Sequence, residues 1–159
     1  MYIVRSRDGK EHKATVQQVT ASDLKTIMKS KRFGFVWVNE RYATVYQLLL
    51  IENGGTLGLM AIKDRKEDHA IEIELLESAA ENVGEEKAFA NVAGCLIASA
   101  CRLAFINGYN GFVCLVPKTA LIKHYISIYG MQYTGMYLYT EGQNSLALIR
   151  SYTERFYPL

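Results

Sequence analysis

His69-Ala-Ile-Glu-Ile-Glu-Leu-Leu-Glu-Ser78, a loop at Ala79–Ala88, and the run that starts Ala90-Asn-Val-Ala-Gly94 and continues to Ile106 decide the fold. The first ten residues alternate. Ile71, Ile73 and Leu75 fall on one face and Glu72 and Glu74 on the other, which is the pattern of a half-buried strand. Ala90–Ile106 is Ala-rich, too long for a strand, and carries Arg102 as its only charge. A helix apolar almost all round is buried on most sides. Asn107-Gly108 is a good stop, because glycine takes the left-handed conformation freely. Gly111–Val116 then reads as a short apolar strand, so the stretch is a strand–helix–strand unit with a right-handed crossover.

Working outward, Pro117 precedes a helix expected over Thr119–Tyr129 and ended by Gly130. Met131–Thr140 and Ser145–Ile149 read as two further strands joined by a turn at Glu141–Asn144. A helix from about Ser145 to Phe156 is the other reading, since Leu146, Ile149 and Tyr152 have near-helical spacing. Upstream, Val45–Ile51 and Thr56–Ile62 flank Glu52-Asn-Gly-Gly55 and read as a β-hairpin, with a polar turn at Asp64–Asp68. Thr20-Ala-Ser-Asp23 offers cap residues before a short amphipathic helix over Ala21–Lys31. Phe33–Val38, around Trp37, is a strand or an irregular segment. Tyr2–Val4 is a short strand, and Arg5–Lys13 is a polar loop. Antiparallel strands followed by a strand–helix–strand unit predict an α/β fold with a mixed, mostly antiparallel sheet flanked by helices.

The chain has 159 residues, half of them hydrophobic and 21% charged. One domain spanning 1–159 is expected at that size. The formal net charge of +2 predicts no nucleic-acid partner, unless Lys25, Lys29, Lys31 and Arg32 assemble into one basic stripe. The longest apolar stretch is too interrupted to span a membrane. Three cysteines, Cys95, Cys101 and Cys114, sit in apolar runs without a signal peptide, which predicts reduced, inert thiols and a cytoplasmic protein. His12, His69 and His124 lack metal-ligand spacing, and no Ser–His–Asp arrangement supports a hydrolase.

A strand that feeds a buried helix through a loop leaves backbone N–H groups unpaired at the helix start, where they and the helix dipole favour a phosphate. Ala88, Ala90, Asn91, Ala93 and Gly94 are small there, which lets an anion approach, although small residues also serve close helix–sheet packing. An ordered series of short stretches resembles the GNAT-type N-acetyltransferases over most of the chain. It comprises Trp37, Val45-Tyr-Gln-Leu48, Gly58-Leu59, Ile73–Ala79, Asn82, Val92-Ala-Gly94, Leu96, Ala100-Cys101, Gly108–Gly111 and Lys118–Tyr125. The family's pyrophosphate loop, Q/R-x-x-G-x-G/A, aligns with Ala88, Asn91 and Ala93. The leading Gln or Arg is absent, with Lys87 adjacent. Asn91 stands for the first glycine and is the best non-Gly residue for a left-handed backbone.

The resemblance implies a GNAT-like sheet with a splayed central strand pair, His69–Ser78 parting from Gly111–Val116. It implies transfer of an acetyl group from acetyl-CoA to an amine of a small molecule or a peptide, by direct attack through a tetrahedral intermediate. The backbone of Leu76, Glu77 and Ser78 would lie along the pantetheine arm, and Asn91, Val92, Ala93 and Gly94 would hold the pyrophosphate, with Thr119 also on the cofactor. The chemistry needs a proton acceptor for the amine and a donor for the departing thiolate. Tyr125 matches the family's acid, with Tyr129 the competing candidate. Its ordinary pKa of about 10 suits donation to a thiolate. Glu77 and Glu74 are the candidate bases, against the alternative that Glu72, Glu74 and Glu77 line a solvated face. Tyr125, Tyr129, Tyr133, Tyr137 and Tyr139 cluster in sequence and either read as plain sheet residues or line a pocket for an apolar or planar substrate. The degraded loop motif leaves a second class open, a GNAT-fold protein without catalysis that acts as a binding module. A homodimer is left open.

Overall fold

The computed structural model describes residues 1–35, 37, 44–117 and 119–153. The chain forms β1 (Tyr2–Arg5), β2 (Glu11–Gln18), α1 (Ala21–Lys29), β3 (Thr44–Leu50), β4 (Thr56–Arg65), β5 (Ala70–Ser78), β6 (Phe89–Ala90), α2 (Val92–Ile106), β7 (Val113–Leu115), α3 (Ile122–Tyr129), β8 (Gln132–Tyr133), β9 (Leu138–Thr140) and α4 (Gly142–Tyr152). The strands make one sheet in the order β6-β1-β2-β3-β4-β5-β7-β9-β8. Every pairing is antiparallel except β5 with β7. This is the expected mixed α/β architecture.

Side-chain alternation divides the core between the two sheet faces. Leu48, Met60, Ile62, Ile71 and Ile73 join the apolar side of α2 in the larger cluster. Leu24 of α1, Trp37, Val45, Leu59 and Ala61 form the smaller one on the opposite face. Leu57–Ile62 of β4 is buried at every residue apart from Gly58's missing side chain, as a central strand covered on both faces must be. Gly58 is small for a reason. A Cβ there would stand 2.8 Å from Val92 Cγ1 and 3.0 Å from Leu96 Cδ1, so its absence lets the start of α2 sit down on the sheet. α4 is tied to the β7 end by Ser145, whose hydroxyl donates to Gly111 O at 2.7 Å and lies 2.9 Å from Thr140 Oγ1.

Several expectations are corrected. Glu11–Gln18 is a strand although Arg5–Lys13 reads as a loop. Only Ala14 of β2 is fully buried, so the strand lacks a strong apolar alternation. Ser145–Ile149 is helical, and α4 already begins at Gly142 in the expected turn. Burial of Leu148 and Ile149 against α2 and its neighbours prevails over their β propensity. Met131–Thr140 is two short strands around a turn rather than one. β4 runs on through Asp64–Arg65, which had read as turn. Val36, Val38, Lys118 and 154–156 lie outside the described residues. No helix among the described residues is long and apolar enough to cross a membrane.

Candidate active site

The β4–β5 register slips by one residue. Ala61 faces Leu75 and Ile62 faces Ile73, which leaves Glu74 as the extra residue of a β-bulge. The slip reverses the faces. Ile71 and Ile73 point into the α2 cluster, whereas beyond the bulge Leu76 joins that cluster and Leu75 turns to the α1 side. Strict alternation had put Leu75 with Ile71 and Ile73; the bulge corrects this. The parallel partner stops at the same place. β7 pairs with Ile71, Glu72 and Ile73 only. Among the described residues, no strand pairs with that edge of β5 over Glu74–Ser78, so the two central strands part and leave a free backbone edge.

A cleft of about 590 Å³ opens between β5 and α3. Such a volume lies in the range of small-molecule sites. Ser78, Asn91, Val92 and Ala93 line it on one side and Tyr125 and His124 on the other. The chain reaches α2 along a braced path. Buried Asn82 donates through Nδ2 to Leu57 O at 3.3 Å and accepts from Phe89 N–H at 3.1 Å. β6 then pairs with β1. Asn91 adopts φ 71°, ψ 9°, turns the chain into α2, and no side chain caps the helix. The first intrahelical bond runs from Cys95 N–H to Asn91 O, so the amides of the first turn are available to an anion. The side-chain void at Gly94 has another occupant. Its Cβ position is 2.4 Å from Tyr152 Cε1, so this glycine makes room for a ring of α4.

A second, smaller cleft of about 180 Å³ lies where the strands part. Glu74, Leu76, Phe35 and Val116 line it, and it shares Leu121 and Tyr125 with the larger one. Tyr125 therefore stands at the junction. Burial raises its phenol above the ordinary tyrosine value, so the hydroxyl keeps its proton. Its ring packs against Tyr129, centroids 5.7 Å apart. Tyr129 is the more buried of the two, and burial raises its phenol further.

The remaining candidates fall in different places. Glu74 is exposed at the bulge and lines the smaller cleft. Glu77 lines neither cleft. Its Oε2 accepts from Gly34 N–H at 2.6 Å, and its Oε1 accepts from Phe35 N–H at 3.1 Å and from the Trp37 indole at 2.8 Å. Thr119 is exposed, in a 3₁₀ turn before α3, outside the lining of either cleft. Arg32 does not join a basic stripe, because its guanidinium pairs with Glu81 and donates to Thr56 O at 2.6 Å. Cys95 and Cys101 are buried and Cys114 is half-buried, and burial pushes the first two thiols up to about 12 and Cys114 to about 11. Among the described residues, no group of His, Cys, Asp and Glu could hold a metal ion. Lys87, His124 and Phe35 border the clefts, and the sequence assigns none of the three a role in the site. Lone polar or aromatic residues in loops carry no periodic signal; only the proximity of Lys87 to the degraded loop motif pointed there.

The splayed pair and the uncapped helix start can be set against solved structures. Mutant forms of the spermidine/spermine N-acetyltransferase SpeG from Vibrio cholerae superpose with a TM-score of 0.62, over 84% of this chain and 96% of theirs, at 14% identity. The aminoglycoside acetyltransferase AAC(6')-Ib, in complex with coenzyme A and kanamycin, superposes at 0.60 over 85% and 98%, at 17% identity. The fold is that of the GNAT N-acetyltransferases. Naa50 from Arabidopsis thaliana, in complex with the bisubstrate analogue CoA-Ac-MVNAL, shares the GNAT fold at a TM-score of 0.52, over 79% and 95% of the two chains and 17% identity. No family model matches the sequence and no curated protein matches it, so the likeness is one of fold.

Proposed function

We propose that this chain transfers an acetyl group from acetyl-CoA to the amine of a small molecule or a peptide. The observation that carries the reading is the meeting of three features in one place: the free edge of β5, the uncapped start of α2, and Tyr125 between the two clefts. The solved structures of this fold named for acetylation of polyamines, aminoglycosides and peptides supply the reaction class.

The residues fit the co-substrate. Asn91, Val92, Ala93 and Gly94 offer backbone N–H groups to a pyrophosphate at a helix start, with Lys87 bordering the same cleft. The free edge at Leu76–Ser78 offers strand hydrogen bonds to an extended pantetheine arm. Acetyl-CoA supplies an activated acyl group and a thiolate leaving group. The backbone of Leu76–Ser78 would also polarise the acyl oxygen. Glu74, at the mouth of the smaller cleft, accepts the amine proton, directly or through water. The Tyr125 hydroxyl gives its proton to the departing sulfur and recovers one from solvent.

Thermal unfolding with acetyl-CoA, with CoA and with a control nucleotide tests the cofactor groove. At about 100 times its dissociation constant a ligand adds about 2.7 kcal/mol, which raises the midpoint by about 5–10 °C in a chain of this size. A shift with both CoA forms, followed by thiol release in the presence of an amine panel, supports the enzyme. No shift at millimolar ligand leaves a catalytically silent GNAT-fold module.

A further inference from the structure

Glu77 has the residue type of a base and the surroundings of a clamp. It reaches across 40 to 43 positions of sequence to hold Gly34, Phe35 and Trp37, and three donors occupy its two oxygens. A base needs a lone pair facing the substrate amine. These oxygens face Gly34, Phe35 and Trp37 instead, on the α1 side of the sheet, and line neither cleft among the described residues. Two further contacts hold Arg32, two residues before Gly34. Ala80 N–H donates to Arg32 O at 2.8 Å, and Arg32 pairs with Glu81. The consequence appears within the clamp, where Phe35 lines the smaller cleft together with Val116 and Tyr125. The cleft holds about 180 Å³ and is otherwise mostly apolar, with Glu74 as the one carboxylate among its described lining residues.

We infer that Glu77 is a positioning residue that pins Phe35 as the acceptor-side wall, and that the pinned cleft selects a monoamine with a short apolar body over polyamines and aminoglycosides. One carboxylate, Glu74, beside an otherwise mostly apolar described lining fits a single ammonium carried on an apolar body. The inference rests on the smaller cleft being the acceptor side of the proposed acetyltransferase.

Trp37 is the only tryptophan in the chain, and its indole donates to Glu77, so its emission reports the clamp without any turnover. In Glu77→Gln, an amide NH₂ faces N–H donors in place of a carboxylate oxygen. We expect redder Trp37 emission, stronger acrylamide quenching and an unchanged far-ultraviolet spectrum. With phenethylamine as acceptor, KM rises about tenfold, as the loss of hydrogen bonds to a charged group implies, while kcat stays within about twofold. Phe35→Ala removes the wall and keeps the clamp. It raises the phenethylamine KM similarly, and leaves Trp37 quenching at the wild-type value. Unchanged Trp37 emission and quenching in Glu77→Gln overturn the clamp. Loss of kcat at constant KM in that variant overturns it too, and makes Glu77 part of proton transfer. Wild-type preference for spermidine or kanamycin over phenethylamine overturns the selectivity. A wild-type protein that binds acetyl-CoA but acetylates none of these amines defeats the acetyltransferase reading instead, and the emission arm still decides the clamp.

Discussion

Replacing Gly94 with alanine asks whether the start of α2 is small for an anion or for Tyr152. A Cβ on Gly94 would stand 2.4 Å from Tyr152 Cε1, 2.5 Å from Cζ and 2.8 Å from Cδ1. Relief requires the ring to swing away from its place beside Tyr129, now 6.3 Å between centroids. Overpacking of this kind costs about 1–3 kcal/mol. Alanine in place of glycine within a helix contributes about 0.5–1 kcal/mol in the other direction. The net expectation is a loss of about 0–2.5 kcal/mol, or a midpoint lowered by up to about 10 °C. In a Tyr152→Ala background the overlap is gone and only the helix term remains. There the same substitution stabilises by about 0.5–1 kcal/mol. Urea unfolding of the four proteins, at a common m value, gives the coupling directly. A Gly94→Ala change that stabilises the wild-type background, or that acts equally in both, refutes the packing argument and returns Gly94 to the anion.

Three other expectations follow from the same geometry. Tyr125→Phe should lower kcat about a hundredfold or more, in line with loss of a general acid, with CoA binding unchanged by calorimetry; a kcat within twofold of wild type removes Tyr125 from the chemistry. Asn91→Gly should leave stability nearly unchanged, because glycine accepts φ 71°, whereas Asn91→Ala should cost about 1–2 kcal/mol for the left-handed backbone and shrink the CoA-induced thermal shift. The buried thiols of Cys95 and Cys101 should be silent to Ellman's reagent at pH 8, half-buried Cys114 should react slowly, and all three should react on unfolding. Their folded pKa values, about 12 for Cys95 and Cys101 and about 11 for Cys114, lie above the unfolded value. Their contribution is therefore intact below about pH 8.5 and is lost as pH rises toward 12, at about 1.4 kcal/mol per pH unit for each fully buried thiol. Denaturant unfolding at pH 8 and pH 10 reads the loss, and equal stabilities at the two values contradict it.

The legible parts of this fold are those in which one physical signal dominates. α2 was visible because Ala90–Ile106 is apolar for longer than any strand, and the capped α1 because Thr20 and Asp23 form a capping box. β2 was hidden because its side chains are mostly polar and its pairing to β1 and β3 is a backbone matter. α4 was ambiguous because Leu146, Leu148 and Ile149 suit a strand about as well as a helix, and only packing on α2 decides. At the site, the left-handed turn of Asn91 could be anticipated from residue type. The roles of Phe35 and Glu77 could not, because they depend on a contact between chain segments some forty residues apart.

The bulge at Glu74 explains why so much of the candidate chemistry converges on β5. Without the extra residue, Leu75 and Glu77 would point toward α2, and a buried carboxylate would meet the apolar cluster of Leu96 and Ile97 without donors. With it, Glu77 reaches the Gly34 and Phe35 amides and the Trp37 indole on the opposite face, and Leu76 takes the α2 side. The same reversal comes one residue after the last β7 pair at Ile73, so the strand changes faces where it loses its parallel neighbour. The inserted residue thus turns the Glu77 carboxylate toward Gly34, Phe35 and Trp37, and it lies next to the edge proposed for the pantetheine arm. Deleting Glu74 should disturb both the clamp and the edge. Leu75 and Glu77 would swap faces, Trp37 would lose its carboxylate partner, and the CoA-induced thermal shift would vanish along with the Trp37 signature. A deletion variant that folds and retains either one shows that the bulge does not couple them.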